Sequence, residues 1–469
     1  MRGLVIIFTL ALPLAVGAHA QPVLTQHPEL AALASQVSPE RLRATDTQLV
    51  GFGTRHSLSD TKSDTRGIGA TRRWVQARFS EQSKSCGGCL EIQTPSESFT
   101  GARVPQPTQI MDVLAVQRGT SDPGRVIVIS AHMDSRNGDP LDGRGDAPGA
   151  NDDASGVSAV LEAARILSAR KFPATIVYAV LSGEEQGLMG ARVLANQAVA
   201  QGWRVEGDLN NDIIGNTHGM SGVMDNSHVR IFSEGTRTTE TAQQSQSRHD
   251  AGGESDSPSR SLVRFLQGLA DSYMNGLSVK AIYRPDRFGR GGDHREMLAQ
   301  GFPAVRITEA AENYTRQHQN VRVENGVHYG DVLEGVDFDY LAQVTRLNVV
   351  ALAALAQAPA PPMGVTITGA ITPDTVVSWK QGADAPLASG GHRVWWRDTT
   401  SPQWRFNRQS AGDSLTLAGV NIDDWFFGVS AVGADGYESP VVFPGVTGSF
   451  DRIPPAQAPA PFVLGVPPK

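Results

Sequence analysis

The sequence predicts an α/β fold, a mostly parallel mixed sheet sandwiched by helices, followed by a small all-β sandwich. Three observations point there. Short apolar runs, Arg125–Ser130 and Ala174–Leu181, alternate with stretches of helical periodicity. Histidines and carboxylates recur where those runs end. Beyond residue 357 the texture changes to brief strand-like runs punctuated by Gly and Pro.

The 469 residues are too many for one ordinary core, so at least two domains are expected. A composition 40% hydrophobic and 19% charged is globular, and the net charge of -7 argues against a nucleic-acid partner. Residues 1–20 read as a secretory signal peptide. Arg2 precedes the apolar run Leu4–Val16, and Ala18-His19-Ala20 is a small-residue cleavage pattern. No other run reaches the roughly 18 apolar residues of a membrane span. The expected location is therefore secreted or periplasmic. In that setting Cys86 and Cys89, separated by two glycines, are expected to pair as a small local disulfide.

Residues 27–83 predict helices, one beginning near Pro28 and another over Ile68–Phe79. Arg125–Ser130 and Ala174–Leu181 have the Val/Ile density of strands buried on both faces. Between them, Val157, Val160, Leu161, Ala164 and Leu167 fall at helical spacing. A further helix over 187–200 and a strand over 207–213 complete a strand–helix repeat, which implies a parallel sheet. The polar stretch 236–260 reads as a long exposed loop before a helix over 261–274. Val305–Ile307 is a late strand and Asp337–Ala356 a closing helix. Residues 357–362 form a proline-rich linker. Residues 363–450 resemble a fibronectin type III sandwich and hold Trp379, Trp395, Trp396, Trp404 and Trp425; 451–469 is a proline-rich tail.

Chemistry concentrates at the strand ends, where ligands of an open α/β sheet belong. His132 followed by Asp134 suggests an imidazole and a carboxylate that orients it. In Asn151-Asp152-Asp153 one aspartate would suffice to cap the following helix, so the doublet needs a further reason. Glu184-Glu185 is more telling. Adjacent carboxylates repel, and a cation ligand beside a proton carrier explains both. Asp212 ends a strand, and Asp293-His294 follows the basic, glycine-rich 284–292.

The phrases His132-Met133-Asp134, Gly149–Gly156, Ser182–Gly187, Asn211–Gly215 and Gly292-Asp293-His294 together resemble the co-catalytic di-zinc aminopeptidases, a family of bacterial secreted leucyl aminopeptidase-like enzymes. That family is related to glutamate carboxypeptidases and glutaminyl cyclases. The similarity covers roughly residues 45–356 and implies a zinc exopeptidase fold over 21–356, two zinc ions and peptide substrates. It also implies cleavage of the amino-terminal peptide bond by a metal-bridging water, with Glu184 as general base and acid. Carried over by position, Asp152 matches the bridging ligand, His132 and Asp212 the ligands of one zinc, and Glu185 and His294 those of the other. Asp134, Asp153 and Asp293 would support these ligands.

Glu309, Tyr314 and Arg287 are substrate-site candidates, although Tyr314 serves a packed core equally well and Arg287 reads more readily as a loop-holding residue. The family's usual phrase near there is replaced by Asn313-Tyr314-Thr315-Arg316-Gln317-His318, which puts substrate recognition in doubt. Two alternatives stay open: a carboxypeptidase or dipeptidase using Arg287 or Arg290 to hold a carboxylate, and a non-catalytic binding protein on a peptidase scaffold. The C-terminal module is open between contact with a cell surface, glycan or protein and service as a spacer or dock.

Overall fold

The computed structural model describes residues 26–381 and 390–455; the expected leader and most of the proline-rich tail lie outside the described residues. Four parallel strands form the centre of an eight-stranded sheet, in the order Ala174–Leu181, Asp122–His132, Arg204–Asn211, Ala304–Glu309. Val113–Gln117 and Glu91–Gln93 extend one edge in antiparallel fashion. His228–Phe232 joins antiparallel at the other edge and is followed by Ser278–Ile282 in parallel. Of these flanking strands only Val113–Gln117 is apolar and buried along its length.

The pleat explains why the central strands are apolar throughout. Along Asp122–His132, Ile127, Ile129 and Ala131 enter one core, while Val126 and Val128 enter the other. Ala174–Leu181 splits in the same way, with Ile176, Tyr178 and Val180 against Val177, Ala179 and Leu181. Helices Ser155–Leu167 and Phe338–Gln357 cover the first face. Met189–Ala200 and the short helix His294–Ala299 cover the second. Successive crossovers leave Asp122–His132 in opposite directions, so its carboxyl end lies at the reversal of strand order, where such sheets open a crevice.

The stretch 236–260 differs from the expected exposed loop. It contains the helix Ala242–Asp250, opened by a capping box between Thr241 and Gln244, and the next helix begins at Pro258 with Ser257 as its cap. The Thr-x-x-Gln spacing was visible in the sequence, but the absence of apolar residues hid the helix.

The C-terminal residues form two three-stranded antiparallel sheets. One comprises Met363–Thr368, Thr375–Lys380 and Ser414–Leu417; the other comprises Phe406–Ser410, His392–Asp398 and Trp425–Ala431. This unit packs closely on the larger one. Arg397 Nη2 donates to both carboxylate oxygens of Asp256, at 2.9 and 2.8 Å, and Arg264 Nη1 donates to the same group at 3.0 Å. Tyr437 stacks on His27, with ring centroids 3.7 Å apart, and donates to Glu29. Cys86 and Cys89 are disulfide-bonded, closing a loop with a sequence separation of 3.

The Arg397 guanidinium also lies over the Trp404 ring, 5.2 Å from its centroid. Arg397→Ala should therefore destabilise the junction by about 3 kcal/mol, because it uncovers a buried carboxylate. A lower denaturant midpoint with an early red shift of tryptophan fluorescence is the expected reading.

Candidate metal centre

His132 is the last residue of its strand, and Asp212 directly follows Arg204–Asn211. Neighbouring parallel strands thus deliver both to the crevice. His132 Nε2 lies 3.2 Å from Asp152 Oδ1 and 3.9 Å from Asp212 Oδ2. On the other side of Asp152, His318 Nε2 lies 3.1 Å from Asp152 Oδ2 and 2.9 Å from Glu185 Oε1. Asp152 is therefore common to two groups, His132–Asp152–Asp212 and Asp152–Glu185–His318. Within each group the donor atoms all lie within 4.8 Å of one another.

His294 is a correction to the sequence reading. The structure does not bring it beside Glu185. Its Nε2 lies 2.7 Å from the Pro285 carbonyl oxygen and 3.7 Å from Asp286 Oδ2, and the ring is wholly buried. Burial lowers its pKa to about 4, despite Asp286 nearby, so the ring is neutral and braces the 285–294 turn. The place expected for it is taken by His318, in the loop that leaves Ala304–Glu309 and turns back over Asp152. His318 was within the divergent phrase 313–318, but only the tertiary turn shows where its ring ends up.

The donors suit zinc. Two imidazoles and three carboxylates are the nitrogen and oxygen ligands that zinc accepts. His132 Nε2 and Glu185 Oε1 are buried and make no well-aligned hydrogen bond, their near neighbours being other donors of the cluster, Asp152 Oδ1 at 3.2 Å and His318 Nε2 at 2.9 Å. Two arginines hold the outer carboxylates. Arg306 Nη1 is 2.8 Å from Asp212 Oδ2, and Arg136 Nε donates to Glu185 Oε2 at 2.8 Å. Neither was singled out from sequence, though an arginine inside the apolar strand Val305-Arg306-Ile307 is a signal in itself. Against burial, which raises it, the His318 ring and Arg136 hold the Glu185 carboxyl down to about 2. Against burial, which lowers it, Glu185 and Asp152 raise His318 to about 9.

The profile of peptidase family M28 matches residues 112–325. A protein of Pyrenophora tritici-repentis described as a probable zinc metalloprotease is 41% identical over 420 residues, 89% of this chain and 86% of its own length. The chain belongs to peptidase family M28. A similarly described protein of Leptosphaeria maculans is 41% identical over 418 residues, 89% of this chain and 96% of its own. Among solved structures, the Legionella pneumophila LapA aminopeptidase shares the fold with a TM-score of 0.51 at 21% identity, over 76% of this chain and 80% of that one. LapB of the same organism gives 0.52 at 19%, over 72% and 78%.

In this M28 zinc metalloprotease the residues around the donors have distinct tasks. The His132 ring pairs through Nδ1 with the main-chain oxygen of Asp134 at 3.0 Å, closer than the 3.6 Å to its carboxylate. That carboxylate instead accepts from the amides of Glu184 and Glu185, at 3.3 and 3.2 Å, fixing the loop that carries both. Asp153 accepts from the amides of His132 (3.1 Å), Gly156 (3.0 Å) and Ile213 (3.3 Å), tying two strand ends to a helix start. A Cβ on Gly156 would sit 2.5 Å from Asp153 Oδ1, so the glycine is needed for that approach.

Ile213 adopts a left-handed φ of 53°, a strained state for a β-branched residue, immediately after the ligand-position Asp212. Asp293 is fully buried, and neither carboxylate oxygen has a hydrogen-bond partner. Burial, with Glu184 adding repulsion, raises its pKa well above the usual range. It does not cap its helix.

The substrate candidates separate. Glu309 is buried and accepts from Asn151 Nδ2 and Asn216 N, both at 2.8 Å, so it supports the metal loop and does not face substrate. Tyr314 is 56% exposed, which excludes a core role. Arg287 is occupied by Asp286, the Gly291 carbonyl and Glu312, in keeping with a loop-holding role.

His318→Ala should lower the bound zinc stoichiometry by one, measured by elemental analysis after dialysis. His294→Ala should keep full metal while unfolding at a lower temperature. Below about 9 the His318 ring carries a proton that a metal must displace. Apparent zinc affinity should therefore rise about tenfold per pH unit towards that value and then level off, in competition with a chromophoric chelator.

Proposed function

We propose that this protein is a two-zinc aminopeptidase in which Glu184 carries the proton, cleaving the amino-terminal peptide bond of peptides. When bound, the zinc ions would act as Lewis acids on the scissile carbonyl and make a bound water acidic. The rest is done by the chain. His132, Asp152 and Asp212 would hold one ion, and Asp152, Glu185 and His318 the other. Glu184 belongs to neither group, yet Asp134 fixes its amide beside them. In the metal-free site burial, together with the Glu185, Asp212 and Asp152 carboxylates, pushes Glu184 up to about 8. Bound ions would neutralise those carboxylates and relieve the repulsion, so that Glu184 would rest as a carboxylate able to take a proton and return it to the leaving nitrogen.

The observation that favours an amino-terminal over a carboxyl-terminal specificity is the state of the two loop arginines. Arg287 and Arg290 both pair with Glu312, at 3.5 and 2.8 Å, and Arg290 also donates to Gln317. Neither is free to receive a substrate carboxylate. Secretion, inferred from the leader sequence, agrees with the Cys86–Cys89 bond. The fibronectin-like reading of the C-terminal unit agrees with its two small sheets. Trp379, Trp395 and Trp404 are buried there, which supports a docking role over an aromatic binding platform.

Wild-type protein loaded with zinc should hydrolyse a free-amine peptide and leave its N-acetylated form intact. Equal cleavage of both would end the aminopeptidase reading. Glu184→Gln should retain both metals and lose at least about a hundredfold in kcat, in line with the usual contribution of a positioned base.

A further inference from the structure

Asp152 is gripped from two directions by one excursion of the chain. The segment leaving Ala304–Glu309 presents His318 to the Asp152 carboxylate at 3.1 Å. Thirteen residues later it returns beneath the same residue. There the Asp331 carboxylate accepts from Asp152 N at 2.7 Å and from Asn151 N at 2.9 and 3.0 Å. The Asp331 main-chain oxygen accepts from Ala150 N at 3.2 Å. Three consecutive amides, 150 to 152, are thus read by one residue, which is itself only 6% exposed.

The loop needs such an anchor. Gly149 has a left-handed φ of 54°, and Asp152 and Asp153 have non-helical backbone angles before the helix proper begins at Ser155. No regular secondary structure fixes Asp152 from behind. Asn151 aims its side chain away from the cluster, donating to Glu309 and accepting from Gly215 N at 2.8 Å. The backbone amides therefore determine where the Asp152 carboxylate lies.

We infer that Asp331 is a positioning residue for the shared ligand Asp152, and that it sets the affinity of both metal sites together. This rests on the two-zinc reading above. A ligand belonging to one group controls one metal, whereas a residue acting through Asp152 has to move both. Support of this kind behind a metal ligand is typically worth 10- to 100-fold in affinity.

The test is competitive zinc titration of metal-free full-length protein against a chromophoric chelator, comparing wild type, Asp331→Asn, Asp331→Glu and His318→Ala. Asn keeps one acceptor oxygen and puts an NH2 group where the second was. Glu keeps both oxygens but displaces them by one methylene, which guards against a variant that merely fails to fold. The expected result is a loss of 10-fold or more at both sites in each Asp331 variant, against loss of one site in His318→Ala. Wild-type affinity in a folded Asp331 variant, or weakening at one site alone, overturns the inference. Absence of zinc binding by the wild type would instead overturn the two-zinc reading.

Discussion

Three carboxylates, from Asp152, Asp212 and Glu185, converge with two imidazoles in a crevice closed to water on most sides, and the neighbourhood is organised around that convergence. Like charges this close and this buried raise one another's pKa unless positive charge is supplied. The chain supplies part of it. Arg306 sits on Asp212 and Arg136 on Glu185. Arg136 takes the Glu185 oxygen turned away from His318, whereas Arg306 shares Asp212 Oδ2 with the group, and both keep their carboxylates ionised. A bound metal would supply the remainder.

The scaffold turns that demand into geometry. Neighbouring parallel strands end at the same level, so His132 and Asp212 arrive side by side. The reversal of strand order leaves room above them for the loops carrying Asp152 and Glu184-Glu185. Loops alone would be imprecise, and buried acceptors remove the slack. Asp134 holds the amides of the glutamate pair, and Asp153 binds amides from His132 and Ile213. The acidic side chains thus divide into candidate metal donors, Glu184 beside them, and the backbone anchors Asp134 and Asp153.

The C-terminal unit is joined to this scaffold through the buried pairing of Arg397 and Arg264 with Asp256. The segment 236–260 lies in that junction: a Cβ on Gly252 or Gly253 would meet Phe426 or Phe443 at 3.0 Å. Its polar composition suggested solvent exposure. The capped helix Ala242–Asp250 keeps that exposure, with no buried residue, and only the stretch after it enters a packed interface.

The strands buried on both faces and the helices between them were legible in the residues, because apolar periodicity is a local property, and the family resemblance of the loop phrases named four of the five clustered donors. It did not name the fifth. His294 opens the short helix before the last parallel strand and His318 lies in the loop after it, and nothing local in the sequence marks which of them reaches Asp152. The distinction depends on which loop folds back over Asp152. That is settled by hydrogen bonds across large sequence separations, such as those from the amides of Asn151 and Asp152 to Asp331, and by burial of His294 against Pro285. Arginine partners and edge strands were hidden for the same reason. Sequence by itself determined the kinds of atom that could bind metal; tertiary structure decided which of them meet, because meeting is a matter of distance between residues far apart in the chain.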